Sequence, residues 1–183
     1  MKFAHMSDCH VGGWKEDKLK ELSIEAFEKA MELCIKENTA FVLISGDLFN
    51  TSLPNLDIIK RTAQALDKLR ENDISCYIIP GSHDFSPSGK TMLDVLEKAG
   101  LMENVMKFNN NKLEFTIDKT NAKITGIFGL RQGLDRSYYQ NLDKESLEKE
   151  KGFKIFMFHA TLDEFKPKDQ ELVQGQSYTD LPK

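Results

Sequence analysis

Cysteine is too scarce for a disulfide framework: the 183 residues hold three, Cys9, Cys34 and Cys76, odd in number and far apart. Nor do they show zinc-finger spacing. A reducing, cytoplasmic compartment is the simpler expectation. Long apolar runs are absent as well. No stretch approaches the roughly 20 apolar residues of a membrane span. The start, Met1-Lys2-Phe3-Ala4-His5, lacks the apolar core of a signal peptide. No membrane association is therefore expected. Excess positive charge is also missing, since 25 Lys and Arg stand against 29 Asp and Glu, for a net charge of −4. That balance argues against a broad basic surface for polyphosphate. Nucleic-acid affinity would have to come from a local patch or from bound cations. No repeat, Pro/Gly/Ser linker or low-complexity segment is visible.

What is present suits one domain, residues 1–183, with 40% hydrophobic residues to build a layered core. Strand and helix alternate. Lys2–Met6 reads as a strand and Lys15–Asn38 as a helix, with Leu19, Leu22, Ala26, Ala30 and Leu33 on its apolar face. Ala40–Ser45 is an apolar run bounded by Gly46, so a buried strand. Asn55–Glu71 is helical through Leu56, Ile59, Ala63, Leu66 and Leu69, Ser75–Ile79 is a strand closed by Pro80, and Thr91–Ala99 is a helix stopped by Gly100. From Val105 the pattern changes. Val105–Phe108, Leu113–Ile117 and Lys123–Leu130 read as strands between Asn-rich and Asp/Lys/Thr-rich turns. Leu142–Lys151 reads as a charged helix, Phe153–Phe158 as a last strand, and the tail after Pro167 as polar and unpatterned. The βαβαβ beginning predicts an α/β fold with a parallel sheet and helices on its faces.

Four segments carry chemistry: Asp8-Cys9-His10, Gly46-Asp47, Gly81-Ser82-His83-Asp84 and His159. Each directly follows a predicted strand. Sites in parallel α/β sheets form at the carboxyl ends of strands, so the four are expected to converge on one rim. Carboxylate and imidazole are ligands for divalent ions such as manganese, iron and zinc. Asp8 and His10, one residue apart, can turn to the same side, and the two oxygens of Asp47 could bridge two cations. Gly46 and Gly81 permit sharp turns over the sheet edge. His83 beside Asp84 suggests an acid–base dyad, because a carboxylate fixes an imidazole's tautomer and raises its basicity. The ordinary readings are a turn for Asp8-Cys9-His10, a loop for Gly46-Asp47 and a core histidine for His159. His5, inside the first strand, is assigned to packing, and Cys9 to spacing the ligands, with a thiol near the metal as its alternative.

Asp8-Cys9-His10, Gly46-Asp47-Leu48-Phe49, Gly81-Ser82-His83-Asp84 and Phe158-His159-Ala160 resemble the ordered motifs of calcineurin-like metallophosphoesterases. The longer stretches Asp8-Cys9-His10-Val11-Gly12, Phe41-Val42-Leu43-Ile44-Ser45-Gly46-Asp47-Leu48-Phe49-Asn50 and Tyr77-Ile78-Ile79-Pro80-Gly81-Ser82-His83-Asp84 are similar to the SbcD-like nuclease branch of double-strand-break repair. The resemblance implies a sandwich of two mixed sheets flanked by helices. It also implies two divalent cations, with Mn²⁺ favoured over Fe²⁺, Mg²⁺ or Zn²⁺. Asp8 and His10 would bind one ion, Asp47 both, and Ser82 and His159 the second. His83 would face the scissile phosphate and Asp84 would orient it. The implied reaction is hydrolysis of a DNA phosphodiester by metal-activated water, with a homodimer and an SbcC-like coiled-coil ATPase as partners.

Two departures stand out. Ser82 occupies a position where the family carries asparagine, and a hydroxyl is the weaker ligand. The family's later Gly-His-x-His segment is not found in this sequence, so the expectation is an amino-terminal portion lacking the last strands. Arg131, after the Lys123–Leu130 strand, is a candidate phosphate contact, its ordinary reading being a solvated loop arginine. Two alternatives are carried: a phosphodiesterase of small molecules such as cyclic nucleotides, which suits the acidic balance, and a metal-poor scaffold without catalysis.

Overall fold

The computed structural model describes residues 1–86, 89–109, 112–168 and 175–183. They form two compact units, Met1–Asn104 and Val105–Lys183, and the boundary falls where the sequence pattern changes. The result is a mixed α/β fold.

The first unit runs β1 (Ala4–Met6), α1 (Asp17–Lys36), β2 (Phe41–Ser45), α2 (Leu56–Glu71), β3 (Ser75–Ile79), α3 (Met92–Lys98) and β4 (Glu103–Asn104). Its four strands pair in chain order, all parallel. Every residue of β2 is buried, as a continuous apolar run in the middle of a parallel sheet should be. The helix ends are written locally. The Asn55 side chain accepts the Ile58 amide at the start of α2, and Thr91 and Asp94 make a reciprocal capping box on α3. Gly100, at φ +71°, lets the chain turn away after α3.

The apolar face of α1 differs from the sequence expectation. Ile24, Phe27, Met31 and Cys34 are buried, whereas Leu19, Leu22, Ala26 and Leu33 are exposed. Two apolar stripes share this helix, and packing selects the one with the better-fitting bulky residues. The stripe of α2 is likewise rotated: Ile58, Thr62 and Ala65 join Leu66 and Leu69 inside, and Leu56 lies outside. Arg61 of α2 clamps the two helices by bonding both oxygens of Glu28 and one of Glu21 on α1.

The second unit holds a hairpin of β5 (Lys107–Asn109) and β6 (Lys112–Glu114), then a three-stranded sheet of β7 (Thr116–Ile117), β8 (Lys123–Ile127) and β9 (Lys154–Phe158). β7 is antiparallel to β8, and β9 is parallel to it. The expected single strand Leu113–Ile117 is broken at Phe115, because its two halves pair with different strands. Thr125 Oγ1 donates to the Glu114 carbonyl at 2.8 Å across the break. The expected strand Lys123–Leu130 ends at Ile127. The short helices α4 (Arg136–Gln140) and α5 (Lys144–Lys149) follow, and Tyr139 and Leu147 pack with Leu113 and Ile127 in the local core. The Asn110-Asn111 turn and residues 169–174 of the polar tail lie outside the described residues. No helix among the described residues is long and apolar enough to cross a membrane.

Candidate metal centre

In the first unit the segments after β1, β2 and β3 leave the sheet at its carboxyl edge. Parallel pairing continues past the strands: the Asp8 amide donates to Gly46 O at 3.1 Å, His10 to Asp47 O at 3.0 Å and Val11 to Leu48 O at 2.9 Å. The two loops are thereby held in register along their length. Gly46 sits at φ +87°, and Asp8, His10 and Asp47 also lie in the left-handed region, at +54°, +42° and +52°. Non-glycine residues enter that region rarely, and such outliers gather at functional sites. Here three candidate ligands share it, each pinned by the hydrogen bonds of the paired loops.

Asp47 is buried. Its Oδ1 accepts the His83 amide at 2.8 Å, which fixes the carboxylate on the turn after β3. A Cβ on Gly81 would fall 2.2 Å from that Oδ1 and 2.3 Å from the Asp47 nitrogen. Only glycine admits this approach. His10 Nε2 lies 3.7 Å from Asp47 Oδ2 and 3.8 Å from Asp8 Oδ1. These separations are too long for hydrogen bonds, yet they suit donor atoms grouped around one cation. His10, Asp47 and His83 each offer a ligand atom within 4.8 Å of the others. Oxygen and imidazole donors of this kind fit a first-row divalent ion.

The expected His83–Asp84 dyad is corrected by the structure. Asp84 is buried, and its carboxylate accepts three backbone amides: Gly81 at 3.0 Å, Phe49 at 3.0 Å and Leu48 at 3.2 Å. Those bonds turn it toward the β2 loop and away from the imidazole. Burial pushes the Asp84 carboxyl above the usual carboxylate range, opposed by these amides, and the Asp47 charge adds to the rise. His83 Nδ1 instead lies 2.8 Å from the Asn50 carbonyl. A carbonyl can only accept, so Nδ1 carries the proton and Nε2 is the open nitrogen. The His83 ring stands edge-on to that of His10, with centroids 4.8 Å apart. Sequence reasoning missed Asn50 because it acts through its backbone, which leaves no signature in residue type.

The remaining expected residues fall as follows. Ser82 is half-buried in the turn before His83. Cys9 is half-buried, and burial, with the Asp8 and Asp84 charges, pushes its thiol up to about 12. His5 is exposed and its Nε2 bonds Ser45 Oγ at 2.8 Å, so it makes a polar link where packing was expected. In the second unit His159 directly follows β9 and is half-buried, while Arg131 is exposed at the start of a 3-10 turn, four residues past the end of β8.

A model of the family described as calcineurin-like phosphoesterase matches residues 1–180. Among curated proteins, the chain is similar to the DNA double-strand break repair protein Mre11 of Methanococcus maripaludis, with 31% identity over 100% of this chain and 48% of that protein. The Mre11 of Methanocaldococcus jannaschii is 29% identical over 100% of the chain and 49% of its own length. That of Archaeoglobus fulgidus is 34% identical over 61% of the chain and 25% of its own length. The chain thus spans about half the length, or less, of these relatives.

Proposed function

We propose, from the premise that this chain belongs to the calcineurin-like phosphoesterase family, as the match over residues 1–180 shows, that it is the phosphodiesterase module of a DNA-repair nuclease. The observation that carries the reading is the grouping of His10, Asp47 and His83 at the carboxyl ends of parallel strands, with ligand atoms within 4.8 Å. The naming of these relatives as DNA double-strand break repair proteins supports DNA as the substrate, and so do exposed Trp14 and Phe85. Trp14 stands four residues past His10 and Phe85 directly follows His83-Asp84, and exposed rings are surfaces on which an unpaired base can stack.

The residues divide the work. Asp8, His10 and Asp47 would hold divalent cations, with Ser82 and His159 as further ligands by resemblance and Mn²⁺ favoured. When bound, such cations neutralise phosphate charge and lower the pKa of an associated water. His83 presents Nε2 toward the substrate and exchanges a proton at that atom, while the Asn50 carbonyl holds its other nitrogen. Asp84 keeps the β2 and β3 loops together. Arg131 is assigned to a phosphate of the substrate strand. A homodimer and an SbcC-like ATPase partner belong to the same reading, as does a cytoplasmic setting, which suits three free thiols.

The test compares Mn²⁺-dependent cleavage of single-stranded DNA with that of a small aryl phosphodiester. DNA should be the better substrate, and Asp47→Ala should remove activity on both. Equal or better turnover of the small ester would shift the reading to a small-molecule phosphodiesterase. Stoichiometric metal binding without any cleavage would leave a scaffold.

A further inference from the structure

Asp8 stands just past the end of β1, and its backbone is fixed more firmly than its carboxylate. The Asp8 amide donates to Gly46 O at 3.1 Å, with the residue at φ +54°. The side chain is 58% exposed, so packing does little to set its rotation. The residue before it supplies a constraint. Ser7 Oγ donates to Asp8 Oδ2, and the same hydroxyl lies 2.9 Å from the Ser45 carbonyl of β2. A hydroxyl has one proton to give. A bond to an ionised acceptor is roughly twice as strong as one to a neutral acceptor, so the proton serves the carboxylate while the Ser45 carbonyl marks where the hydroxyl sits. With Oδ2 held by Ser7, Oδ1 is the oxygen that faces His10. It lies 3.8 Å from His10 Nε2, which is itself 3.7 Å from Asp47 Oδ2. His5, two residues before Ser7 and on the same side of the strand, bonds Ser45 Oγ through Nε2 at 2.8 Å. That link also ties β1 to β2, but it does not involve the Asp8 carboxylate.

We propose that Ser7 is a positioning residue for Asp8: its hydroxyl takes Oδ2 and so presents Oδ1 to the donor group formed with His10 and Asp47. The inference rests on the reading of Asp8 as a metal ligand. All the residues it needs, Ser7, Asp8, His10, Ser45 and Asp47, belong to the first unit. Groups that orient a ligand typically change metal affinity by about 10–100-fold when removed. Ser7 is exposed, which places its effect at the lower end of that range. A serine that only joined β1 to β2 would do no more than His5, which joins the same strands through the same Ser45.

The experiment uses the full chain and Mn²⁺ alone as the probe. In calorimetric titration, Ser7→Ala should lower affinity by about tenfold, and Ser7→Thr, which keeps a hydroxyl, should hold it near the parent value. In an Asp8→Ala background, Ser7→Ala should add no further loss. His5→Ala should lower thermal stability and leave affinity at the parent value. In the metal-free protein the carboxyl-carbon resonance of Asp8 should move in Ser7→Ala and return in Ser7→Thr. Parent affinity in Ser7→Ala while Asp8→Ala weakens binding would overturn the proposal. So would an equal loss in both backgrounds, a Ser7→Thr variant as weak as Ser7→Ala, or a loss that His5→Ala matches. If Asp8→Ala leaves affinity unchanged, the ligand reading of Asp8 itself fails. The resonance then decides the positioning separately, because a carboxylate unaffected by loss of the hydroxyl is not held by it.

Discussion

The backbone amide of His83 and the carboxylate of Asp47 meet at 2.8 Å, so one oxygen of the central acidic residue is occupied by the turn that presents the histidine. The carboxylate has a mechanical task beside its electrostatic one, and substitutions should separate the two. Asp47→Asn keeps an acceptor oxygen but not the charge. Its unfolding free energy should stay within about 1 kcal/mol of the parent while Mn²⁺ affinity is lost. Asp47→Ala should lose affinity and, by leaving the amide unpaired, about 1–3 kcal/mol more. Thermal unfolding beside metal titration checks both. Equal stability of the two variants would remove the mechanical task.

His83 tests where binding ends and chemistry begins. With Nδ1 committed to the Asn50 carbonyl, His83→Ala should retain most Mn²⁺ affinity and lose cleavage rate by about 10²–10⁴-fold. A variant that loses its metal instead would make His83 a principal ligand, consistent with its place in the group with His10 and Asp47.

Gly81 leaves no room at all. In Gly81→Ala the new methyl would collide with the Asp47 nitrogen as well as Oδ1, and neither can swing aside without breaking the His83 bond. Mn²⁺ binding should fall together with stability, the latter by about 1–3 kcal/mol, as for an overpacked site. Wild-type metal affinity in this variant would show that the loops yield more easily than the hydrogen bonds imply.

Far from the site, Arg61 and Glu28 give a pH signature. Arg61 holds the Glu28 carboxyl below its ordinary value of 4.5. A depressed folded-state value contributes stability that is present above the unfolded value and lost as pH falls through the folded one. Glu28→Gln should therefore cost stability at neutral pH, on the order of 1 kcal/mol since both side chains are partly solvated. The deficit should shrink as the pH drops below 4.5. Denaturation at several pH values reads it, and a deficit that persists in acid would mean the pair does not act through charge.

Most of this architecture could be read in residue types. β2 was visible because the apolar run Ala40–Ile44 stands just before Ser45-Gly46, and the candidate ligand segments because each follows a strand-like run. The stripe of α1 was not, since Leu22 and Leu33 are as apolar as Ile24 and Met31, and only packing chooses between them. α4, five residues long, is too short for periodicity to register, so the segment that holds Tyr139 carried no expectation. At the site, Asp8, His10 and Asp47 were legible through side-chain chemistry. The hydrogen-bond partners of His83 and Asp84 are backbone groups, whereas adjacency in the chain suggested that the two side chains pair.

The left-handed backbone at Asp8, His10 and Asp47 has an evolutionary corollary. A side chain in that region costs roughly 1 kcal/mol or more, a penalty glycine does not pay. Backbone ease alone would favour glycine at these positions, although at Asp47 the gain is set against loss of the His83 amide bond. Asp, His and Asp at these positions thus amount to a standing local cost, one that the proposed metal-binding role of their side chains would account for.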